Sequence, residues 1–421
     1  MKQTLGRAVR HLRRQLGRIM PSAAAARARQ NRFPELPAVP ASPPLPPPPP
    51  PPRDLAGTGP SINLYGLLSR QLGLGESARL YARAFAANGI DVTLHDIPLA
   101  LPHARMQWDV PGCSMDLPLH QTDLVCVNPD IWASVKPLIP QRPERRLASW
   151  FWELETLPRA WLGATDDFDG IVVATDFVGD AVRACCDVKV HKVGLPLYVG
   201  PDSGLSRSAF GLDEDAFVFL VSFDFFSSIN RKNPLATIAA FLRAFGGTGD
   251  DVRLVIKTGH GEQNDEAFRR LLGAAAKDPR IMVRNGPLAA AHWGALQRCC
   301  DCYVSLHRAE GFGLGMAECM ARGKPVIATG WSGNMEFQDA DSALLVEHRM
   351  VVVGSGDYAD GEGMRWADPS VDDAAEKMRW VFEHRSASQA LAQRGREKVA
   401  RVLAPATVAS QLRAALGCAA G

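Results

Sequence analysis

Two glutamates, Glu310 and Glu318, stand eight positions apart in the stretch 305–337, SLHRAEGFGLGMAECMARGKPVIATGWSGNMEF. A carboxylate accepts hydrogen bonds from hydroxyl groups, so the pair can address two ends of one elongated ligand, with a sugar and a ribose as natural targets. Between them, Gly311, Phe312, Gly313 and Leu314 lead from a strand into a helix that ends at Gly323. Glycines at a helix start let backbone N–H groups approach an anion, and the dipole there favours phosphate. A second cluster is SINRKNP, residues 228–234. Its adjacent Arg231 and Lys232 are fixed cations of the kind that stabilise an anion, although a solvated basic turn before a helix has the same composition.

These groups need a scaffold that brings distant loops together. Residues 62–67, 90–94, 124–127, 146–151 and 170–174 read as short strands of one unit. Residues 217–223, 252–257, 281–284, 302–306, 325–328 and 343–346 read as strands of a second, with helical patterns between several of them. Asn233 and Pro234 supply the N-cap and first position of one such helix. Continuous apolar runs, rather than strict alternation, indicate parallel strands covered on both faces. The expected class is α/β, two parallel-sheet domains meeting near residue 200, with ligands outside the carboxyl ends of the strands in the cleft between them. The expected division is a leader and linker over 1–60, disordered, domains over 61–200 and 201–385, and closing helices over 386–421 that pack back on the first domain.

On the residues just quoted, the chain resembles retaining glycosyltransferases of the GT4 type. The match is the Glu310-to-Glu318 spacing inside EGFGLGMAECMARGKPVIAT, ordered as strand, glycine turn, helix, Gly-Lys-Pro turn and strand. The resemblance implies the GT-B fold, two Rossmann-like domains with parallel sheets facing a central cleft. It also implies that Glu310 contacts the donor sugar, that Glu318 binds the nucleotide ribose, and that the backbone of residues 311–314 helps hold sugar and phosphates. Lys232 and its neighbour Arg231 match the family's basic loop, but the commoner pattern places an arginine several residues earlier, where this chain has Phe223 and Asp224. Gly73 and Gly75, ahead of Glu76, resemble the first-domain glycine loop that faces the donor phosphates; as a lone pair they also fit a simple tight turn. Arg79 would either add charge to that loop or face solvent.

SWFWELETLP, residues 149–158, with Trp161 resembles a segment beside the acceptor cleft of bacterial members. Glu153 and Glu155 there read either as sugar contacts or as cap and surface charges. Many relatives carry a histidine after the strand at 124–127; here Asn128, Pro129 and Asp130 take its place, and Asn128 or Asp130 could contact an acceptor hydroxyl. The implied reaction moves a glycosyl unit, mannose as a first expectation, from a nucleotide diphosphate sugar (GDP-mannose or a UDP-sugar) to a saccharide or lipid-linked acceptor hydroxyl, with retention. The nucleotide sugar is a co-substrate and no cofactor is expected. Rivals are an epimerase or phosphorylase on the same fold, and a non-catalytic sugar-nucleotide binding subunit.

Composition narrows the setting. The 421 residues have a net charge of +2, which divides into +8 over residues 1–60 and −6 over the remainder. An acidic body argues against nucleic-acid binding, which needs a positive face. Within the basic leader Leu5, Val9, Leu12, Leu16 and Ile19 recur at helical spacing, a pattern that suits an anionic membrane interface, a partner or an inert tail, and a proline run over 46–52 reads as a stiff tether. Nine cysteines, an odd number without regular spacing, fit a reducing, cytoplasmic setting. The cluster Cys299, Cys300 and Cys302 reads as small buried residues. The pairs Asp167/Asp169 and Asp213/Asp215 have Asp-x-Asp spacing but no convincing strand before them, so no metal is expected.

Overall fold

A computed structural model describes residues 33–39, 59–111, 113, 120–140 and 143–418. The amphipathic pattern of residues 5–19 and the proline run at 46–52 lie outside the described residues. Of the segment expected to be leader and linker, residues 33–39 are among those described. Phe33 packs edge-on against Phe210 at 5.9 Å, and the Pro37 carbonyl accepts a hydrogen bond from His292 Nε2 at 2.9 Å.

The first domain holds β1 (Ser61–Gly66), α1 (Gly73–Ala87), β2 (Asp91–Asp96), β3 (Thr122–Cys126), α2 (Pro129–Val135), β4 (Arg145–Trp150), β5 (Gly170–Val173), α3 (Asp176–Arg183) and β6 (Val190–Lys192). Its six strands are all parallel, in the order β2-β1-β3-β4-β5-β6. The second begins with β7 (Phe217–Asp224), a one-turn α4 (Ile229–Lys232) and α5 (Pro234–Phe245). It continues through β8 (Val252–Gly259), α6 (Asp265–Ala275), β9 (Ile281–Asn285), α7 (Ala290–Cys299), β10 (Cys302–Ser305), α8 (Leu314–Ala321), β11 (Val326–Thr329) and β12 (Leu344–Val346). This sheet too is parallel, ordered β12-β11-β10-β7-β8-β9. In each sheet the order reverses beside the first strand, and the loops leaving the strands' carboxyl ends face the other domain across one cleft.

The strands form where β-branched and aromatic residues run together. FVFLVSFD of β7 is buried over its first five residues, because helices cover both faces of the sheet. An antiparallel hairpin, β13 (His348–Val352) and β14 (Arg365–Pro369), follows the second sheet and has no counterpart in the sequence reading. Its Val353 and Trp366 join a buried cluster with Trp152, Leu154 and Leu157 of the first domain, so the hairpin bridges the cleft. After α9 (Val371–Glu383) and α10 (Arg385–Val402), α11 (Pro405–Leu416) crosses back onto α1. Gln411 Oε1 accepts from the Gly194 N–H at 2.8 Å, and the Ala415 carbonyl accepts from Arg145 at 2.7 Å. The two interdomain crossings run side by side, joined by the Leu197 N–H to the Leu403 carbonyl at 2.9 Å. Among the described residues no helix is long and apolar enough to cross a membrane.

Candidate active site

Strand β7 ends at Asp224, and the chain then places α4 at the cleft with two unusual backbone angles. Ser228 has φ 62° and Asn233 φ 51°, so non-glycine residues with positive φ bracket the two cations. Such conformations cost about 1 kcal/mol or more each and persist where surrounding contacts fix them. Ser228 provides those contacts: its hydroxyl accepts from the Arg231 N–H at 3.4 Å and donates to the Asp357 carbonyl at 3.0 Å. Asn233 and Pro234 hold the N-cap and first positions of α5 as expected, but the Asn233 side chain makes no cap hydrogen bond, and its left-handed backbone also ends α4.

Lys232 Nζ lies 2.5 Å from Glu310 Oε1, and Arg231 Nη1 lies 3.4 Å from Oε2. The Arg231 guanidinium also donates to the Ala309 carbonyl at 2.9 Å, stands 3.6 Å from Glu153 Oε1 and lies 5.6 Å from the centre of the Tyr358 ring. Burial pushes the Glu310 carboxyl up, but Lys232 and Arg231 outweigh it and hold the group down at about 2. Burial opposes the Arg231 charge, yet Glu153 and Glu310 keep its pKa above the ordinary value. For Lys232 burial prevails and the ammonium is held low. Two acids, one from each domain, thus balance two cations in one buried quartet.

The Glu310 loop is fixed from behind. The Glu310 N–H donates to Ser332 Oγ at 2.9 Å, and the Gly333 N–H donates to the Glu310 carbonyl at 2.8 Å. His307, fully buried, sits 3.0 Å from both Ser305 Oγ and Asn334 Oδ1, and burial keeps its pKa low. Gly313 has φ +97°, a turn that only glycine makes without strain, and it opens α8. The first N–H groups of a helix have no intrahelical acceptor, so the backbone at Leu314 presents donors to the cleft. The Phe312 side chain packs 5.2 Å from Phe337 in the core, and the Gly311 carbonyl accepts from Thr175 Oγ1 of the first domain at 3.1 Å. Glu318 follows in the second turn of α8. Its Oε2 accepts from Trp293 Nε1 at 2.9 Å and Gln297 Nε2 at 2.7 Å, both on α7, and burial raises its pKa.

Across the cleft, Gly73 opens α1, and Gly75 lies where a Cβ would stand 2.5 Å from the Leu67 carbonyl oxygen. Arg79 does not face solvent: it lines the wall of the interdomain cavity, where it bonds Glu76 at 2.5 Å and the Leu68 carbonyl at 2.6 Å and so braces the glycine loop. Glu153 accepts from the Tyr358 hydroxyl at 2.5 Å, and Glu155 pairs with Arg365 at 3.2 Å. Asn128 uses both ends of its amide on the Phe151 backbone, at 2.9 Å each, and so braces the loop after β4. Asp130 is pushed up by burial, and Asp360 and Glu153 add to the effect.

A cavity of about 500 Å³ lies between the domains, lined by Gly73, Glu76, Ser222, Asp224, Lys257 and Trp293 among others. The fold therefore brings Glu310, Lys232, Arg231 and Glu153 into one cluster, and sets Glu318 behind Trp293 at the cavity wall. Trp293, Gln297, Ser332, Asn334, Tyr358 and Lys257 were not identified from sequence. Only Lys257 carried a usable signal, a charge near the end of the apolar run VRLVIKTG. Asp167 bonds Trp132 Nε1 at 2.7 Å and Lys136 at 2.6 Å, and Asp213 pairs with Arg253; among the described residues no three His, Cys, Asp or Glu are grouped to hold a metal ion.

Residues 229–412 match the model of a family described as family 4 glycosyltransferases in conflict systems. No curated protein matches the chain by sequence. Among solved structures, a sucrose-phosphate synthase from Thermosynechococcus elongatus superposes with a TM-score of 0.62 at 16% identity, covering 85% of this chain and 98% of that one. Anabaena HepE, solved with UDP and glucose, gives 0.59 at 14% identity over 85% and 99% of the two chains. A glycosyltransferase from Rickettsia africae gives 0.59 at 13% identity over 86% and 97%. The two parallel six-stranded sheets facing one cleft are the GT-B arrangement of these structures, and residues 229–412, less than half of the chain, resemble family 4 glycosyltransferases.

Proposed function

We propose that the chain transfers a hexosyl unit, with retention, from a nucleoside diphosphate sugar to a hydroxyl of a saccharide or lipid-linked acceptor in glycan assembly. The observation that carries this reading is the buried Glu310, clamped between Lys232 and Arg231 at a cleft whose other end is Glu318. In the reading, Glu310 accepts hydrogen bonds from the donor sugar and Glu318 from the ribose. The glycine turn at residues 311–314 offers backbone donors to sugar and phosphate. When donor enters, Lys232 and Arg231 exchange part of their attraction to Glu310 for the diphosphate, and so stabilise the charge that develops as the sugar–phosphate bond breaks. The leaving phosphate oxygen takes the acceptor proton on the face where the sugar is attacked. Glu153 and Asp130 border the acceptor side, next to the breaking bond. The charge stabilisation drawn here uses side chains, without a metal.

For the donor, UDP-sugars come first, because HepE, of like fold, was solved with UDP-glucose; GDP-mannose is the alternative. The acceptor chemistry suits a cytoplasmic protein working at the inner membrane face. A thermal-shift panel of UDP, GDP and ADP sugars tests the reading. A ligand at 100 times its Kd stabilises the folded protein by about 2.7 kcal/mol, so one base should stand out. Slow donor hydrolysis or transfer to an acceptor extract is then expected for that donor. No shift with any member of the panel overturns the donor site, and binding without hydrolysis or transfer points to a non-catalytic binding subunit.

A further inference from the structure

Lys257 lies near the carboxyl end of β8, in register with Ser222 of β7. Neighbours in register on parallel strands present their side chains to the same face. On that face the Ser222 hydroxyl is 2.7 Å from the Tyr303 hydroxyl and beside Gly315 in the first turn of α8. Lys257 is one strand farther along, in the wall of the interdomain cavity. A donor with its ribose near Trp293 and Glu318 and its sugar at Glu310 has to pass its diphosphate through the space bordered by Ser222 and Lys257.

The charges of this wall leave a gap there. Asp224 and Glu76 bring negative charge to the cavity, which works against an anionic ligand. Arg79 is committed to Glu76 and to backbone carbonyls, and Lys232 and Arg231, paired with Glu310, can meet the diphosphate only from the sugar side. The Lys257 side chain has no hydrogen bond or ion pair among the described residues. Asp224, the acid whose charge acts on it, is bonded to His260 Nδ1 at 2.8 Å and to the Phe226 N–H at 2.9 Å. Burial holds the Lys257 pKa below its ordinary value. A lysine kept in a cleft wall without an ionic partner costs free energy that an anionic ligand would offset.

We infer that Lys257 is a donor-binding residue whose ammonium contacts the diphosphate of the nucleoside diphosphate, on the flank of β8. The inference rests on the donor reading above. The test uses the full chain and titration calorimetry with UDP, UMP and uridine, replaced by the guanosine series if the panel selects that base. Lys257→Met should weaken UDP binding about 10- to 100-fold, the range for one hydrogen bond to a charged group, and leave uridine within about twofold. Lys257→Arg should keep most of the UDP affinity, and thermal unfolding should show both variants folded. Equal losses for UDP and uridine, or unchanged UDP binding in a folded Lys257→Met, overturn the assignment while the donor reading stands. If the wild-type chain binds no nucleoside diphosphate, both fall.

Discussion

Replacing Glu310 by glutamine removes one charge from the buried quartet and keeps the side chain's shape. The carboxyl is held at about 2 against an ordinary value of 4.5. At 1.36 kcal/mol per unit, that gap corresponds to about 3 kcal/mol of folding free energy. The side chain is only 9% exposed, so solvent screens little of this. The pKa is depressed, so the contribution is fully present above about pH 4.5 and is lost as pH falls toward 2. Glutamine also leaves Lys232 and Arg231 facing one carboxylate, Glu153, where breaking a buried pair costs about 3–5 kcal/mol. Glu310→Gln should therefore lose about 3–5 kcal/mol at pH 7, and its deficit should shrink as pH is lowered from about 5 toward 3. Urea denaturation followed by tryptophan fluorescence at several pH values measures both quantities. In the same variant UDP should bind at least as tightly as in the wild type, because its two cations are released, while sugar transfer falls about 10²-fold. A variant as stable as wild type at pH 7, or a deficit that is the same at pH 3 and pH 7, would refute the reasoning.

Three further outcomes follow from the hydrogen bonds of the site. Trp293→Phe keeps the ring but removes the Nε1 donor from Glu318, so donor affinity should fall about 3- to 10-fold, read by calorimetry. Tyr358→Phe removes the hydroxyl bond to Glu153 and leaves the ring beside Arg231. It should cost about 1–2 kcal/mol of stability and lower kcat with little change in the donor KM, as steady-state assays and denaturation would show. Arg79→Met should destabilise by about 1–2 kcal/mol through loss of the bonds to Leu68 and Arg70, yet leave UDP affinity within twofold; a tenfold loss of affinity would return Arg79 to the phosphate site.

Much of the architecture was legible because it depends on local pattern. Apolar runs such as 217–223 mark buried parallel strands, and Gly89 and Gly323 end helices by taking the left-handed backbone that glycine adopts freely. The Glu310, glycine turn and Glu318 arrangement was legible for the same reason, since strand, turn and helix are contiguous. The hairpin β13–β14 was not, because its residues earn burial only against Trp152 and Leu154, some two hundred positions earlier. Trp293, Gln297 and Tyr358 escaped for the same cause: each is an unremarkable residue until the fold sets it against a carboxylate. Arg79 and Asn128 are the converse. Their residue types suited a ligand, and residue type alone did not reveal the carboxylate and backbone groups that the fold sets within their hydrogen-bonding reach. Asn233 had the right type and place for a cap, yet the turn that presents Lys232 required its backbone to be left-handed.

The paired crossings at Leu197 and Leu403 set how the cleft can move. One covalent link between two bodies permits bending, twisting and sliding. Two links fastened side by side suppress the twist and the slide, and what remains is rotation about a line through the pair, as of a door on its pin. The quartet of Glu153, Arg231, Lys232 and Glu310 then acts as the catch of that door, since it joins the two leaves by charge at the reacting end. In the proposed function donor phosphate competes for the same two cations, so on that reading the ligand held by the cleft is also the one that loosens its catch.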